Sequence, residues 1–346
     1  MATDEHLAHD GRVMEMLSEH TCEGWMEGYV LSGRHGIFAS YEGFVPIVDS
    51  MVAQYAKWLK MARETPWRKP LAPLNFLLTS HVWRQEHNGY SHQGPGFVNT
   101  VLTKRPESVR VYFPPDANTL LCVSERALSG TDVINVVVAP KQDAPQWLGL
   151  AQARVETAAG ASRWSWAGDD SEPHAVLACA GDVMALETLA AVSLLREHAP
   201  SLRVRVVNLI DLFALASPEM HPHGIHDVRF EELFTAEQPV IFAYHGYPRT
   251  IHELIYRRSS PARFHVHGYI EEGTTTTPFD MTVLNRVSRY HLALDALRRA
   301  EESSATYRAP EAARAFCEHM LRRHAEYIVA TGEDLPEVVD WTFAAR

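Results

Sequence analysis

The sequence predicts an α/β protein of two domains, each with a mainly parallel sheet flanked by helices. Short apolar segments rich in valine and leucine alternate with longer amphipathic stretches, which is typical of parallel sheets covered by helices. The length of 346 residues gives room for two hydrophobic cores. A polar, tryptophan-rich stretch at residues 161–173 interrupts this alternation. We therefore predict one domain at residues 1–160, a linker at 161–173 and a second domain at 174–346.

The individual elements follow from the same pattern. The first domain should contain strands at residues 74–78, 109–113 and 133–139, and the second domain strands at 175–180, 204–207, 240–243 and 264–266. Helices are predicted at residues 184–195, 281–299 and 309–329. Two further helices should begin after Ser18 and Asp116, because these side chains can accept hydrogen bonds from the free amides of a first helical turn.

Composition narrows the functional classes. A formal net charge of -11 argues against binding to nucleic acid or to an anionic membrane surface. The four cysteines are scattered without a C-x-x-C pair, which favours reduced thiols over a disulfide framework or a cysteine zinc site. Neither a leader-like amino terminus nor an apolar run long enough to span a bilayer is present. The sequence therefore predicts a cytoplasmic protein without a membrane segment.

Residues 80–96 are the strongest candidate for a functional site. They combine three histidines with glutamine, asparagine and aromatic side chains in a stretch too rich in glycine for a helix. The apolar strand predicted at residues 74–78 leads directly into them. In open α/β sheets, reactive groups lie at the carboxyl edge of the strands. The alternative is a set of structural or surface histidines.

These residues resemble the corresponding stretch of the phosphoketolases. Similar blocks occur in matching order at residues 17–24, 33–36, 66–70, 115–118, 141–147 and 271–280. Phosphoketolases are aldehyde-lyases of carbohydrate metabolism that use thiamine diphosphate and phosphate to cleave xylulose 5-phosphate or fructose 6-phosphate, giving acetyl phosphate. The resemblance implies a transketolase-like, thiamine diphosphate-binding fold, with residues 1–160 as a pyrimidine-binding domain.

The resemblance also implies a cofactor-binding role for Glu19, Tyr41 and Phe44. In the family, a glutamate that opens a helix binds a ring nitrogen of the aminopyrimidine, and the matching residue is Glu19. Desolvation beside the cofactor should raise the pKa of such a carboxyl. Tyr41 and Phe44, expected three apart on the next helix, match the aromatic pair that packs on the aminopyrimidine. Without the resemblance, a first-turn glutamate and a core aromatic pair would explain these residues.

Four residues of the 80–96 segment match family positions at the reacting centre. After the carbon–carbon bond is cleaved, the two-carbon fragment must lose water before phosphate attacks, which requires a proton donor such as histidine. The resemblance assigns this chemistry to His87 and His92 and the orientation of substrate to Gln85 and Asn88. His87 distinguishes the segment from that of the transketolases.

Phosphate binding is implied for Arg63 and Lys141. Guanidinium and ammonium groups suit phosphate, and both residues match family positions with that role. Many relatives have glycine before the lysine, whereas this chain has Pro140, which removes an amide donor.

The resemblance covers only the later part of a phosphoketolase. The family's Gly-Asp-Gly motif for Mg2+ and the cofactor diphosphate is absent, and the chain is expected to begin inside the pyrimidine-binding domain. We therefore expect inactivity alone and a homo-oligomeric assembly. The Mg2+ ligands are expected in the missing amino-terminal domain, which would be a separate polypeptide if the gene is split. A noncatalytic remnant or assembly module is the alternative. A histidine-based metal hydrolase, using His221, His223, His226, His265 or His267, is a weaker one.

Overall fold

The computed structural model describes residues 12–84, 94–169, 171–270 and 275–344, which form two sheets flanked by helices. The first sheet is four-stranded and parallel, with strand order β1-β2-β4-β3. Its strands are β1 (Phe38–Tyr41), β2 (Leu74–Thr79), β3 (Val109–Tyr112) and β4 (Ile134–Val138). Its helices are α1 (Glu19–Leu31), α2 (Asp49–Arg63), α3 (Gly96–Leu102), α4 (Ala117–Ser129) and α5 (Leu150–Ala159).

The second sheet is five-stranded, with strand order β5-β7-β6-β8-β9. Its strands are β5 (Ala161–Arg163), β6 (Ala175–Ala180), β7 (Val204–Leu209), β8 (Val240–Tyr244) and β9 (Phe264–His267), and β5 alone pairs antiparallel within this sheet. Its helices are α6 (Asp182–His198), α7 (Asp227–Phe234), α8 (Pro248–Ile255), α9 (Pro278–Leu284), α10 (Arg289–Ser303), α11 (Glu311–Thr331) and α12 (Pro336–Val339). Over the described ranges, no helix is both long and apolar enough to cross a membrane.

The predicted strands are all present, with small differences at their ends. The α/β architecture with mainly parallel sheets is confirmed. Both predicted caps also form: Ser18 Oγ accepts from the Thr21 amide at 3.2 Å, and Asp116 Oδ1 accepts from the Thr119 amide at 2.8 Å. The helix predicted at residues 281–299 is instead two helices, α9 and α10. The chain turns between them, where Arg286 has a φ of 56°.

Residues 161–173 are not the free linker that the sequence predicts. Residues 161–163 form strand β5, which pairs with β7. The Trp164 side chain is fully buried, and its Nε1 donates to a Glu156 carboxylate oxygen at 2.8 Å. The Trp164 amide also donates to the Val206 carbonyl oxygen of β7 at 2.9 Å. These contacts anchor the stretch to α5 and to the second sheet, which polarity along the sequence does not indicate.

The two domains pack against each other through a continuous core. The Phe113 ring, after β3, lies 5.6 Å from the Tyr244 ring at the end of β8. The Phe113 amide donates to the carbonyl oxygen of Ile210 at 2.8 Å, and Asn99 Nδ2 donates to Thr250 Oγ1 at 2.8 Å. Strand ends from both sheets consequently meet at this interface.

Candidate active site

A groove of about 740 Å³ opens beside the first turn of α1 and the carboxyl end of β1. Glu19, Tyr41 and Phe44 are among its lining residues, together with Trp25. Glu19 begins α1, directly after the capping residue, and its side chain is half-buried. The structure thus brings together the three residues predicted to bind the aminopyrimidine, which the sequence separates.

Tyr41 and Phe44 form a stacked aromatic pair, but they do not share a helix. Tyr41 is the last residue of β1, and Phe44 precedes a short 3-10 turn at Val45–Val48. Their ring centroids lie 5.7 Å apart with an interplanar angle of 19°. The prediction of a common helix was wrong because β1 is short and its burial is mixed. Phe44 remains 39% exposed, so an aromatic face is open in the groove.

Lys141 reaches this aromatic pair from the end of β4. Its Nζ donates to the Tyr41 hydroxyl at 3.0 Å and lies 4.6 Å from the Tyr41 ring centroid. The hydrogen bond from the Lys141 ammonium, together with its charge, lowers the pKa of Tyr41. Lys141 itself is exposed, so an anion can approach it from solvent.

The structure does not bring Arg63 to the groove. It ends α2, and its Nη2 donates to the carbonyl oxygens of Glu107 at 2.9 Å and Asp132 at 2.6 Å. These carbonyls precede β3 and β4 and so lie at the amino ends of the strands, whereas Tyr41 lies at the carboxyl end of β1. The contacts support a structural role for Arg63 in holding that end of the sheet.

The other predicted site residues, Gln85, His87, Asn88 and His92, lie outside the described residues. His81, the first histidine of the same segment, is described. It is fully buried, with Nε2 2.9 Å from an Asp182 carboxylate oxygen of the second domain.

Two buried carboxyls on α1, Glu23 and Glu27, were not predicted from the sequence. Neither carboxyl lines the groove, and both side chains are buried. Desolvation, with the nearby Glu27 carboxyl, raises the pKa of Glu23 to about 8, and desolvation raises the pKa of Glu27 to about 7. The sequence signal for this pair was its spacing from Glu19, which places the two carboxyls one and two helical turns further along the same face of α1.

The groove fits the aminopyrimidine end of thiamine diphosphate. A carboxylate and an open aromatic face are the two groups that a flat nitrogen ring requires, and both are present. The predicted histidine metal sites have other partners: the His221 ring stacks on Phe213 at 3.8 Å, and His267 Nε2 pairs with Asp295 at 3.0 Å. Among the described residues, His81, Asp182 and His245 alone have metal-ligand spacing.

Two family models together match most of this chain. Residues 1–130 match the family model described as D-xylulose 5-phosphate/D-fructose 6-phosphate phosphoketolase, and residues 141–343 match its C-terminal domain model. A probable phosphoketolase of Brucella suis is 58% identical over 340 residues, which cover 98% of this chain and 43% of that relative.

Solved transketolases share the fold. The enzyme from Leishmania mexicana superposes with a TM-score of 0.61 at 14% identity, covering 85% of this chain and 38% of that one. A split-gene transketolase, described as an inactive β4 tetramer, has a TM-score of 0.55 at 15% identity and covers 83% of this chain and 84% of its own. The chain spans less than half the length of the curated relatives it matches. From these matches, the chain belongs to the phosphoketolase family.

Proposed function

We propose that this chain forms the aminopyrimidine-binding and carboxyl-terminal domains of a thiamine diphosphate-dependent phosphoketolase. Its substrates would be xylulose 5-phosphate, fructose 6-phosphate or both, cleaved with inorganic phosphate to acetyl phosphate and an aldose phosphate. The observation that carries the proposal is the meeting of Glu19, Tyr41, Phe44 and Lys141 at one edge of the first sheet. Free thiols at all four cysteines are compatible with a cytoplasmic location.

Each of these residues has a distinct task in this proposal. Thiamine diphosphate, when bound, supplies a carbon nucleophile and accepts the electron pair released by carbon–carbon cleavage. Glu19 shares a proton with a ring nitrogen of the aminopyrimidine, and Tyr41 and Phe44 keep water from its face. Lys141 attracts the incoming phosphate, because its ammonium group is exposed beside the groove.

His87 and His92 are proposed as the proton donors that allow the two-carbon fragment to lose water. Gln85 and Asn88 would orient the sugar phosphate. These roles rest on the family resemblance of the segment and on its position directly after β2, whose carboxyl end lies beside Tyr41.

The region that precedes the match in the relatives is proposed to complete the site. The relatives are more than twice as long as the matched region, and this sequence lacks the Gly-Asp-Gly motif. Large apolar side chains are also exposed on the first domain around the groove and α2: Trp25, Tyr29, Phe44, Ile47, Trp58, Met61 and Trp67. We infer that this region, on a partner polypeptide or joined to this chain, supplies the Mg2+ and diphosphate ligands, that residues 1–346 are inactive without it, and that the assembly is homo-oligomeric.

The proposal is tested by complementation. The region of the Brucella suis relative that precedes the match is expressed separately and mixed with this chain, thiamine diphosphate, Mg2+, phosphate and either sugar phosphate. We expect acetyl phosphate only when both polypeptides are present. Glu19→Gln should lower the rate by about 10²- to 10⁴-fold, because it removes the proton-sharing carboxyl. The exposed Glu64→Gln variant should retain the parental rate.

The alternative is a noncatalytic assembly module, favoured by the exposed apolar surface and by the inactive tetramer among the structural neighbours. Under that alternative, folded chains associate with themselves or with the partner, but no mixture forms acetyl phosphate. Activity that is unchanged in Glu19→Gln would likewise contradict the proposed site.

A further inference from the structure

Five charged or titratable side chains meet where the carboxyl edges of the two sheets touch. We call them the interdomain cluster: Glu42, His81 and Arg84 from the first domain, and Asp182 and His245 from the second. Glu42 follows β1, His81 follows β2, and His245 follows β8. Glu42 and His81 are fully buried, and His245 is 1% exposed. The cluster is therefore mostly buried, with only the Arg84 side chain partly exposed at 17%, and it is separate from the groove lining.

The contacts within the cluster run across the domain boundary. His81 Nε2 lies 2.9 Å from Asp182 Oδ1, and Arg84 Nε donates to Asp182 Oδ2 at 3.1 Å. His245 Nε2 lies 2.9 Å from Glu42 Oε2, and the rings of His81 and His245 meet edge-to-face with centroids 4.9 Å apart. Each carboxylate is thus held by a side chain from the opposite domain.

The two carboxylates of the cluster depend on their partners from the opposite domain. Burial alone would raise the pKa of Glu42, but the neighbouring His245 lowers it overall, and His81 and Arg84 likewise overcome burial to lower the pKa of Asp182. A buried carboxylate that loses such a partner is strongly unfavourable.

The cluster also fixes the backbone just before residues 85–93. The Val82 amide donates to Glu42 Oε2 at 2.9 Å, and the Arg84 amide donates to the His81 carbonyl oxygen at 2.8 Å. Trp83 is buried and donates from Nε1 to the His245 carbonyl oxygen at 2.9 Å. Residues 81–84 are therefore held by contacts from both domains.

The second domain is shaped to bring His245 into this contact. Gly181, directly before Asp182, has a φ of 111°, which L-residues rarely adopt. A Cβ at this position would lie 3.2 Å from the His245 Cβ. The close approach of α6 and the β8 end therefore depends on glycine.

We propose that the interdomain cluster is a positioning device: Glu42, His81, Asp182 and His245 act as one unit that holds residues 81–84 against both domains. His87 and His92 follow these residues in the sequence, so loss of the cluster should lower the rate of the proposed reaction, and this consequence rests on the proposed function. The residues of the cluster are positioning residues and need not touch substrate.

Contacts among its own side chains explain the cluster better than a metal ion. Arg84 already occupies one oxygen of Asp182, and both carboxylate oxygens of Glu42 face His245 Nε2 within 3.0 Å. The separation of 2.9 Å between His245 Nε2 and Glu42 Oε2 is that of a hydrogen bond to a carboxylate. Stoichiometric bound metal in the purified chain, lost in His245→Gln, would overturn the proposal.

Trypsin cleavage after Arg84 tests the device without relying on activity. Trypsin must take the Arg84 side chain into its specificity pocket, so cleavage requires Arg84 to leave Asp182. We expect Asp182→Asn and His245→Gln each to speed cleavage after Arg84 about tenfold or more, with cleavage after exposed Arg68 unchanged. His245 does not contact Arg84, so its effect reports whether the cluster acts as one unit. Faster cleavage in Asp182→Asn alone would overturn the proposal.

Glu187→Gln is the matched control variant. Glu187 forms a buried pair with Arg289 at 2.7 Å within the second domain, so its loss destabilises the chain without touching the cluster. Cleavage after Arg84 should stay at the parental rate in this variant. If Asp182→Asn unfolds the chain, cleavage after Arg68 rises as well, and His245→Gln then decides.

The activity of the complemented enzyme separates this inference from the proposed function. In an active mixture, Asp182→Asn and His245→Gln should lower kcat about tenfold while the thiamine diphosphate concentration for half-maximal activity stays unchanged. Parental kcat in both variants would overturn the positioning role. An inactive parental mixture would contradict the proposed function, and the cleavage rates would still decide whether the cluster positions residues 81–84.

Discussion

The groove and the interdomain cluster are built from neighbouring residues of the same two strands but have opposite environments. Tyr41 lines the groove, and the next residue, Glu42, is fully buried in the cluster. Lys141 lowers the pKa of Tyr41 most, and Ser80, just after β2, also lowers it. The next residue, His81, pairs with Asp182 in the cluster. Consecutive residues at each of these two strand ends therefore contribute to different sites.

The contrast shows which interactions this chain completes by itself. Both carboxylates of the cluster are buried and paired with side chains of the opposite domain. The groove remains open, with Phe44 39% exposed and Glu19 half-buried. We infer that the cluster stabilises the folded chain, whereas the groove residues contribute to function once a cofactor and a second polypeptide are bound.

The largest expected effect compares Glu42→Gln with Glu19→Gln in the chain alone. Glu42→Gln removes the buried carboxylate that binds His245 Nε2 and the Val82 amide, and it should lower the free energy of unfolding by about 3 to 5 kcal/mol. Glu19→Gln should change it by less than about 0.5 kcal/mol, because that side chain has solvent beside it. Urea unfolding followed by circular dichroism measures both. Equal losses in the two variants would contradict the division between groove and cluster.

The next prediction concerns Glu23, a buried carboxyl of α1 that belongs to neither site. Its pKa of about 8 means that the folded chain keeps this proton, whereas the unfolded chain releases it near pH 4.5. Stability from this group is therefore greatest below pH 4.5 and falls as the pH rises toward 8. Glu23→Gln should be more stable than the parent by roughly 3 kcal/mol at pH 8 and by much less at pH 5.

Thermal unfolding at a series of pH values measures this difference. The exposed Glu15→Gln variant is the control, and its stability should follow the parental pH dependence. A Glu23→Gln variant that is less stable than the parent at pH 8 would show that the ionised carboxylate has a stabilising partner.

The sequence predicted the alternation of strands and helices better than it predicted the contacts between distant segments. Apolar runs such as residues 175–180 fix a strand because they are buried on both faces, and the caps at Ser18 and Asp116 depend on local chemistry. Strand β1 was missed because its four residues, Phe38–Tyr41, carry no clear period. The linker assigned to residues 161–173 failed because Trp164 binds to a partner, Glu156, that periodicity does not identify.

The candidate site shows the same limit. Family resemblance placed Glu19, Tyr41 and Phe44, and the structure brings them together. The interdomain cluster was not predicted, because Glu42 and His245 are 203 positions apart and ordinary in their local sequences. Arg63 is the opposite case. Its guanidinium suits phosphate, but it lies at the amino ends of the strands and donates to two backbone carbonyls there.

The smallest expected effect concerns Lys141, which is proposed to bind phosphate beside the groove. Replacing it with methionine keeps the length of the side chain and removes the charge, so KM for phosphate in the complemented enzyme should rise about tenfold with kcat little changed. Tyr41→Phe removes the hydroxyl that holds the Lys141 ammonium and should raise the same KM by about threefold. Lys69→Met, at an exposed position away from the groove, should leave it unchanged. Initial rates at varied phosphate concentration give these values. If Lys141→Met lowered kcat at unchanged phosphate KM, its ammonium would act on the reacting fragment, and phosphate would have to be bound by the partner polypeptide.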